Sequence, residues 1–206
     1  MRGKSVIAVS FALVLIMAGI SLGCLPGGPA QAPVASVAPA GPGTYVFHPV
    51  REESGSIRKE GNMDANNYVA GDDEKNYVWR ALCSFDISYI AGRDVTSAKF
   101  VFEGEREGDP FDGSLGPLLI WQVEWGSRAS RVLVPSDYKN TKSPVARLGS
   151  FNTESGEIDV SSHVREAVSS GDDRFQVKVQ FERSFSNSNA ESDNIVFDMR
   201  LEVSYE

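Results

Sequence analysis

Apolar residues recur at every second position along most of the chain. Phe175, Val177, Val179 and Phe181 alternate with Gln176, Lys178, Gln180 and Glu182, the pattern of a strand with one face turned to water. Leu201, Val203 and Tyr205 alternate with charged or small residues in the same way, and Ala98, Phe100 and Phe102 do so after the turn AGRD. The stretch LLIWQVEW, Leu118 to Trp125, starts apolar on both faces and becomes one-sided, as a central strand does. TYVFHPV and NIVFDM supply two further short strands. Turn-rich stretches separate these runs: GEREGDPFDGSLGP, NTESG, SGDD and SFSNSNAESDN. Many strands punctuated by turns predict an all-β, antiparallel sandwich. One segment breaks the rhythm. In SSHVREAVSSG, residues 161 to 171, Val164 and Val168 are four apart, Ser161 or Ser162 can cap, and Gly171 can end a short helix.

The run GDDEKNYVWRALCSFDIS, Gly71 to Ser88, joins an acidic turn to such a strand. One face carries Tyr77, Trp79, Ala81, Cys83, Phe85 and Ile87; the other carries Val78, Arg80, Leu82, Ser84, Asp86 and Ser88. The first face is apolar throughout, so Cys83 belongs in the core, where burial makes a thiol inert. The second face is expected to be wet.

The N-terminus is organised differently. Arg2 and Lys4 precede the apolar run SVIAVSFALVLIMAGI, which ends in Ser21-Leu22-Gly23-Cys24. A basic head, an apolar segment and small residues describe a secretory signal, and the ending resembles the lipobox of bacterial lipoproteins. That resemblance implies cleavage after residue 23, lipid on the Cys24 thiol, and a protein held on a membrane facing outside the cytoplasm. An uncleaved anchor or an ordinary signal is the alternative. Residues 24–43 follow, rich in Pro, Gly and Ala and without charge, a composition suited to a disordered tether. The folded domain is then 44–206. Arg2 and Lys4 take two of the 20 basic residues, leaving 18 against 28 acidic ones, a net charge of −10. Such a surface repels phosphate backbones, so nucleic acid is not an expected partner. It also disfavours polyanionic glycans unless a cation intervenes.

Several segments resemble the DNRLRE domain, whose relatives include carbohydrate-binding modules of family 96. VAGDDEKNYVWRALCSFDIS resembles its GDD…N…R-x-x-L signature, and VTSAKFVFEGE, GDPFDGSLGPLLIWQVEWG and EIDVSSHVREAV follow in the family's order, then FQVKVQF, SDNIVF and LEVSYE. The resemblance implies a jelly-roll β-sandwich, secreted or surface-attached, that serves as an accessory module. Some relatives bind polysaccharides. The departure expected from the usual arrangement is a module standing alone behind a lipid anchor, with no enzymatic domain to serve.

Candidate chemistry is sparse. Asp72 and Asp73 offer hard oxygen ligands for a structural calcium ion, with Asp193 and Asn194, and Asp109 and Asp112, in two further acidic turns. None has EF-hand spacing. His48 and His163 lie far apart in sequence and no zinc-type cluster is visible. There is no G-x-S-x-G, and with 28 carboxylates a pair proves nothing about glycoside hydrolysis. An enzyme is not expected. Glycan binding needs exposed aromatic rings flanked by polar groups; the candidates are Trp79, Trp121, Trp125, Tyr89 and Tyr138. Trp79 and Trp121 sit on apolar faces and read as core. Trp125 ends its strand and Tyr138 lies in the polar loop PSDYKNTKS, so these two are expected to be the exposed rings. Arg80 is a polar contact to ligand or a salt-bridge partner of Asp86 or a neighbouring strand. The leading expectation is a membrane-tethered, non-catalytic module binding polysaccharide; the alternative is a structural or adhesive protein–protein module.

Overall fold

The structure is a computed structural model that describes residues 41–126, 131–140, 144–183 and 190–206. The signal peptide, Cys24 and the tether up to residue 40 lie outside the described residues. Among the described residues, no helix is long and apolar enough to cross a membrane.

Among the described residues, eleven strands pair antiparallel in one continuous ladder. They are β1 (Gly43–Phe47), β2 (Gly55–Arg58), β3 (Met63–Asp64), β4 (Tyr68–Asp72), β5 (Val78–Asp86), β6 (Val95–Glu107), β7 (Leu118–Gln122), β8 (Ala146–Phe151), β9 (Gly156–Asp159), β10 (Arg174–Phe181) and β11 (Asp193–Tyr205). The ladder runs β8-β7-β10-β5-β4-β11-β6-β9. Strand β1 adds to β11, and β2 with β3 adds to β5. Strand β5 joins the two layers: it pairs with β10 from Ala81 to Asp86 and with β4 at Val78 and Trp79. The result is an all-β sandwich, as the two-residue rhythm predicts.

The inner faces meet in one core. Ala81, Cys83 and Phe85 of β5 and Val177 and Val179 of β10 pack with Phe100 and Phe102 of β6 and Met199 and Leu201 of β11. Cys83 Sγ lies 3.7 Å from Met199 Sδ, and the Phe85 and Phe100 rings meet edge to face with centroids 6.1 Å apart. Cys83 is fully buried, as expected, and burial pushes its pKa well up.

The structure corrects three expectations. NIVFDM and LEVSYE form a single strand of 13 residues, because Ile195, Phe197, Met199, Leu201, Val203 and Tyr205 all point to one face. Helix α2 (Ser161–Ser169) has Val160 at its N-cap with no side-chain cap; Ser161 instead bonds Asp159 through both its backbone N–H and its hydroxyl. Finally, the second face of β5 is covered at Leu82 and Ser84, while Asp86 and Ser88 at its end stay in contact with solvent. Leu82 joins Ile57, Val123, Trp125, Leu133 and Tyr138 in a separate apolar cluster. Residues 131–138 form its cover, with Asp137 Oδ2 accepting a hydrogen bond from the Val134 N–H at 2.9 Å to fold the turn. The four-residue helix α1 (Asp137–Asn140) begins there.

Candidate functional site

At the end of the sandwich where β5 stops and β10 starts, an ion network ties four segments together. Arg174 opens β10 and meets Glu53, in the 3₁₀ turn Arg51–Glu53, with a bidentate fork: Nε to Oε2 at 2.9 Å and Nη2 to Oε1 at 3.0 Å. Its Nη1 reaches Asp86 Oδ1 at 2.8 Å. Arg131 forks onto Asp173 with contacts of 2.6 and 3.1 Å. Paired geometry of this kind is stronger than a single contact because each guanidinium N–H finds an oxygen in plane. Burial opposes charge on Asp173, but the Arg131 guanidinium and its neighbour Arg174 outweigh it and hold the carboxyl below its usual range.

Two concavities flank this network. The first is an open groove of about 500 Å³, lined by Tyr45, Val46, Phe47, His48, Asp86, Ser88 and Tyr89. Tyr45 is 39% exposed, and its ring meets that of Tyr89 with centroids 4.5 Å apart and planes tilted by 37°. Asp86 Oδ1 accepts from the Ser88 N–H and hydroxyl at 3.1 and 2.6 Å, which fixes the groove's polar wall. The second concavity is a tighter cleft of about 190 Å³ between the end of β7 and the α2–β10 turn, with Gln122, Glu124, Trp125, Arg131, Asp173 and Arg174 in its lining. The Asp86–Arg174 pair adjoins both.

The predicted site residues scatter. Trp125 and Tyr138 are not exposed rings: they are 3% and 6% exposed, since residues 131–138 close over the outer face of the β5 sheet. Trp125 nevertheless lines the cleft. Arg80 pairs with neither Asp86 nor another carboxylate among the described residues. Its guanidinium lies 3.9 Å from the Tyr138 ring centroid and donates from Nη1 to the Tyr138 carbonyl at 2.9 Å. Trp79 is half-buried at the sandwich rim, its indole N–H donating to Asp73 Oδ2 at 3.1 Å. Trp121, also half-buried, packs on the outer cluster.

Asp73 is a turn organiser: Oδ1 also accepts from the Lys75 and Tyr77 N–H groups, an Asx-type device. Asp72 is buried opposite Asp193 in the β4–β11 ladder, and Asp193 Oδ1 accepts from the Asp109 N–H at 2.8 Å. The three acidic turns therefore do converge. Among the described residues, no three His, Cys, Asp or Glu side chains are grouped as a ready metal-ion site.

Tyr45, Glu53, Arg131 and Arg174 escaped sequence reasoning. Arg174 precedes a clean alternating strand and Glu53 sits in a charged turn, and nothing in their spacing signals that they meet. Comparison with protein-family models finds no match, and comparison with curated proteins finds none either.

Proposed function

We propose that residues 44–206 are a non-catalytic binding module for polysaccharide, tethered by lipid on Cys24 to the outer side of a membrane. The observation that carries this reading is the Tyr45–Tyr89 pair, two partly exposed rings in an open groove with His48, Asp86 and Ser88 beside them. The C–H face of a sugar ring packs on the electron-rich face of an aromatic ring, while a few fixed polar groups take the hydroxyls. The likeness of the sequence segments to the DNRLRE domain supports the same reading.

A glycan array probed with the protein tests it. Binding to at least one polysaccharide is expected, and Tyr45→Ala or Tyr89→Ala should weaken it about tenfold or more, roughly 1.4 kcal/mol, with unchanged thermal unfolding. Binding that ignores both substitutions would remove the groove from the proposal.

A second reading, a structural or adhesive module, draws on β1. Among the described residues this strand pairs only with β11, and it carries Val46 at 42% exposure, an edge of the kind other chains can extend. Sugar-independent crosslinking into oligomers, abolished by Val46→Lys, would favour it.

A further inference from the structure

We propose that Tyr45 and Tyr89 form an oxidative cross-linking site, where a one-electron oxidant joins the two rings as dityrosine and staples β1 to the turn after β5. The site stands whatever the groove binds; only its supply of oxidant rests on the placement outside the cytoplasm proposed above.

The two rings are already placed for the reaction. Their centroids lie 4.5 Å apart with planes tilted by 37°, a contact distance for aromatic rings. Each is held by a separate anchored element. Tyr45 belongs to β1, paired opposite Val203, and the Phe47 ring backs it with a centroid 4.6 Å away. Tyr89 belongs to the 3₁₀ turn Ile87–Ile90, where Ile87 and Ile90 are fully buried. A radical on one ring therefore meets its partner at the high effective concentration of a fixed pair.

Access and selectivity follow from the surroundings. Tyr45 is 39% exposed and both rings line an open groove, so a diffusing oxidant reaches them. Among the described residues, which include all six tyrosines of the chain, this is the one contact between two tyrosine rings. Tyr138 and Tyr205 are 6% and 3% exposed. Tyr77 meets the Arg58 guanidinium, 4.0 Å from its ring centroid, and not a second phenol.

The step balances. Each phenol gives one electron to the oxidant and its hydroxyl proton to water. The unpaired electron spreads to the ring carbons beside the oxygen, and a carbon–carbon bond forms between one such carbon on each ring. The hydrogen on each joined carbon then moves to its oxygen, restoring both aromatic rings and both hydroxyls. Two electrons and two protons leave the pair; one hydrogen peroxide, acting through a peroxidase, takes them up and becomes two waters.

The staple supplies what the cysteines do not. With lipid on Cys24, and Cys83 free and buried, the folded chain offers an oxidising exterior no thiol pair to join. Strand β1 is the first element after the tether, and five residue pairs hold it to β11. A bond from Tyr45 to Tyr89 ties that strand to the body of the sandwich.

The test treats the full chain in detergent with a peroxidase and one equivalent of hydrogen peroxide, at about 1 μM protein so that encounters between chains are rare. Monomer two hydrogen masses lighter, with the blue fluorescence of dityrosine, is expected, and fragment spectra should join the peptides that hold Tyr45 and Tyr89. Tyr45→Phe and Tyr89→Phe, which keep the ring packing, should each lower the yield about tenfold or more. Tyr77→Phe should leave it unchanged. The stapled monomer should unfold about 5–15 °C above the untreated protein, because the bond restricts the unfolded chain as a disulfide does. Dityrosine found only in dimers, or a monomer cross-link that survives Tyr45→Phe, overturns the inference; a stapled monomer with unchanged Tm overturns its stapling role. The assay contains no glycan or membrane, so its failure leaves the polysaccharide and tether readings to their own test.

Discussion

Lys178 lies between Trp121 of β7 and Leu82 of β5 in the strand register, 7% exposed, and no carboxylate among the described residues pairs with it. Burial, with the Arg80 guanidinium nearby, pushes its pKa down to about 8. Between that value and the ordinary lysine value of 10.5, the unfolded chain binds more protons than the folded one, so stability rises with pH across this window. Tyr68, pushed up to about 12 chiefly by burial, acts in the opposite sense above about pH 10, where an unfolded tyrosine ionises. Cys83, whose pKa burial also raises, opposes that rise once an unfolded thiol ionises at about pH 8.5. Lys178 therefore adds to the urea midpoints between pH 8 and pH 10 an upward slope worth at most about 3 kcal/mol. Lys178→Met should flatten that slope and stabilise the protein at pH 7 by about 1–3 kcal/mol; a slope unchanged in the variant would show that other groups cause it. The alternation around Lys178 marks it as facing away from the core, and it does. Alternation assigns a face but not what covers that face. For the same reason Trp125 and Tyr138 read as exposed: their burial depends on residues 131–138 folding back, and the polar string PSDYKN hides the Asp137 turn that makes them do so.

At the scale of elements, the strands were legible because each inner face keeps a period of two. Even the continuity of β11 is written there, since Met199 carries the register between Phe197 and Leu201. What spacing does not contain is the corner where β4 meets β5 and β11. Gly71 sits there with φ of +125°, and a Cβ on it would lie 2.3 Å from the Asp193 carbonyl oxygen and 2.6 Å from Asn194 Cα. Gly108, with φ of +69°, is pressed as closely against the Ser192 carbonyl oxygen at 2.0 Å. Both neighbours are backbone and cannot swing aside. Gly71→Ala combines a disfavoured backbone with a collision, so a loss of about 2–4 kcal/mol is expected. That should lower Tm by about 5–15 °C. A calorimetric scan within about 2 °C of the parent would mean that this corner yields easily.

For the whole molecule, the two layers share Cys83. Its sulfur is fully buried beside Met199 of the opposite layer and its thiol is held protonated, so no reagent reaches it while the layers are together. A thiol-specific chromophoric reagent should leave the native domain unlabelled and react in urea along the same curve that tryptophan fluorescence traces. Labelling at a lower urea concentration would reveal a partial opening of the core. The sandwich and its core could be read from the chain because burial follows periodicity. The end that carries the groove and cleft could not, because it is assembled from the 3₁₀ turn at Glu53, the start of β10 at Arg174, and the stretch holding Arg131, which are far apart in sequence and bear ordinary charges.

The pairing of β1 has a mechanical side. Gly43, where the strand begins, lies opposite Tyr205, where the last strand ends, and the five matched pairs run from there to Phe47 and Leu201. Tension applied between these two neighbouring points works like a zipper, rupturing rungs singly instead of shearing all five at once. Tyr45 departs with the third rung, so a pull of this kind would dismantle the aromatic groove while the phenylalanine-rich interior stayed intact.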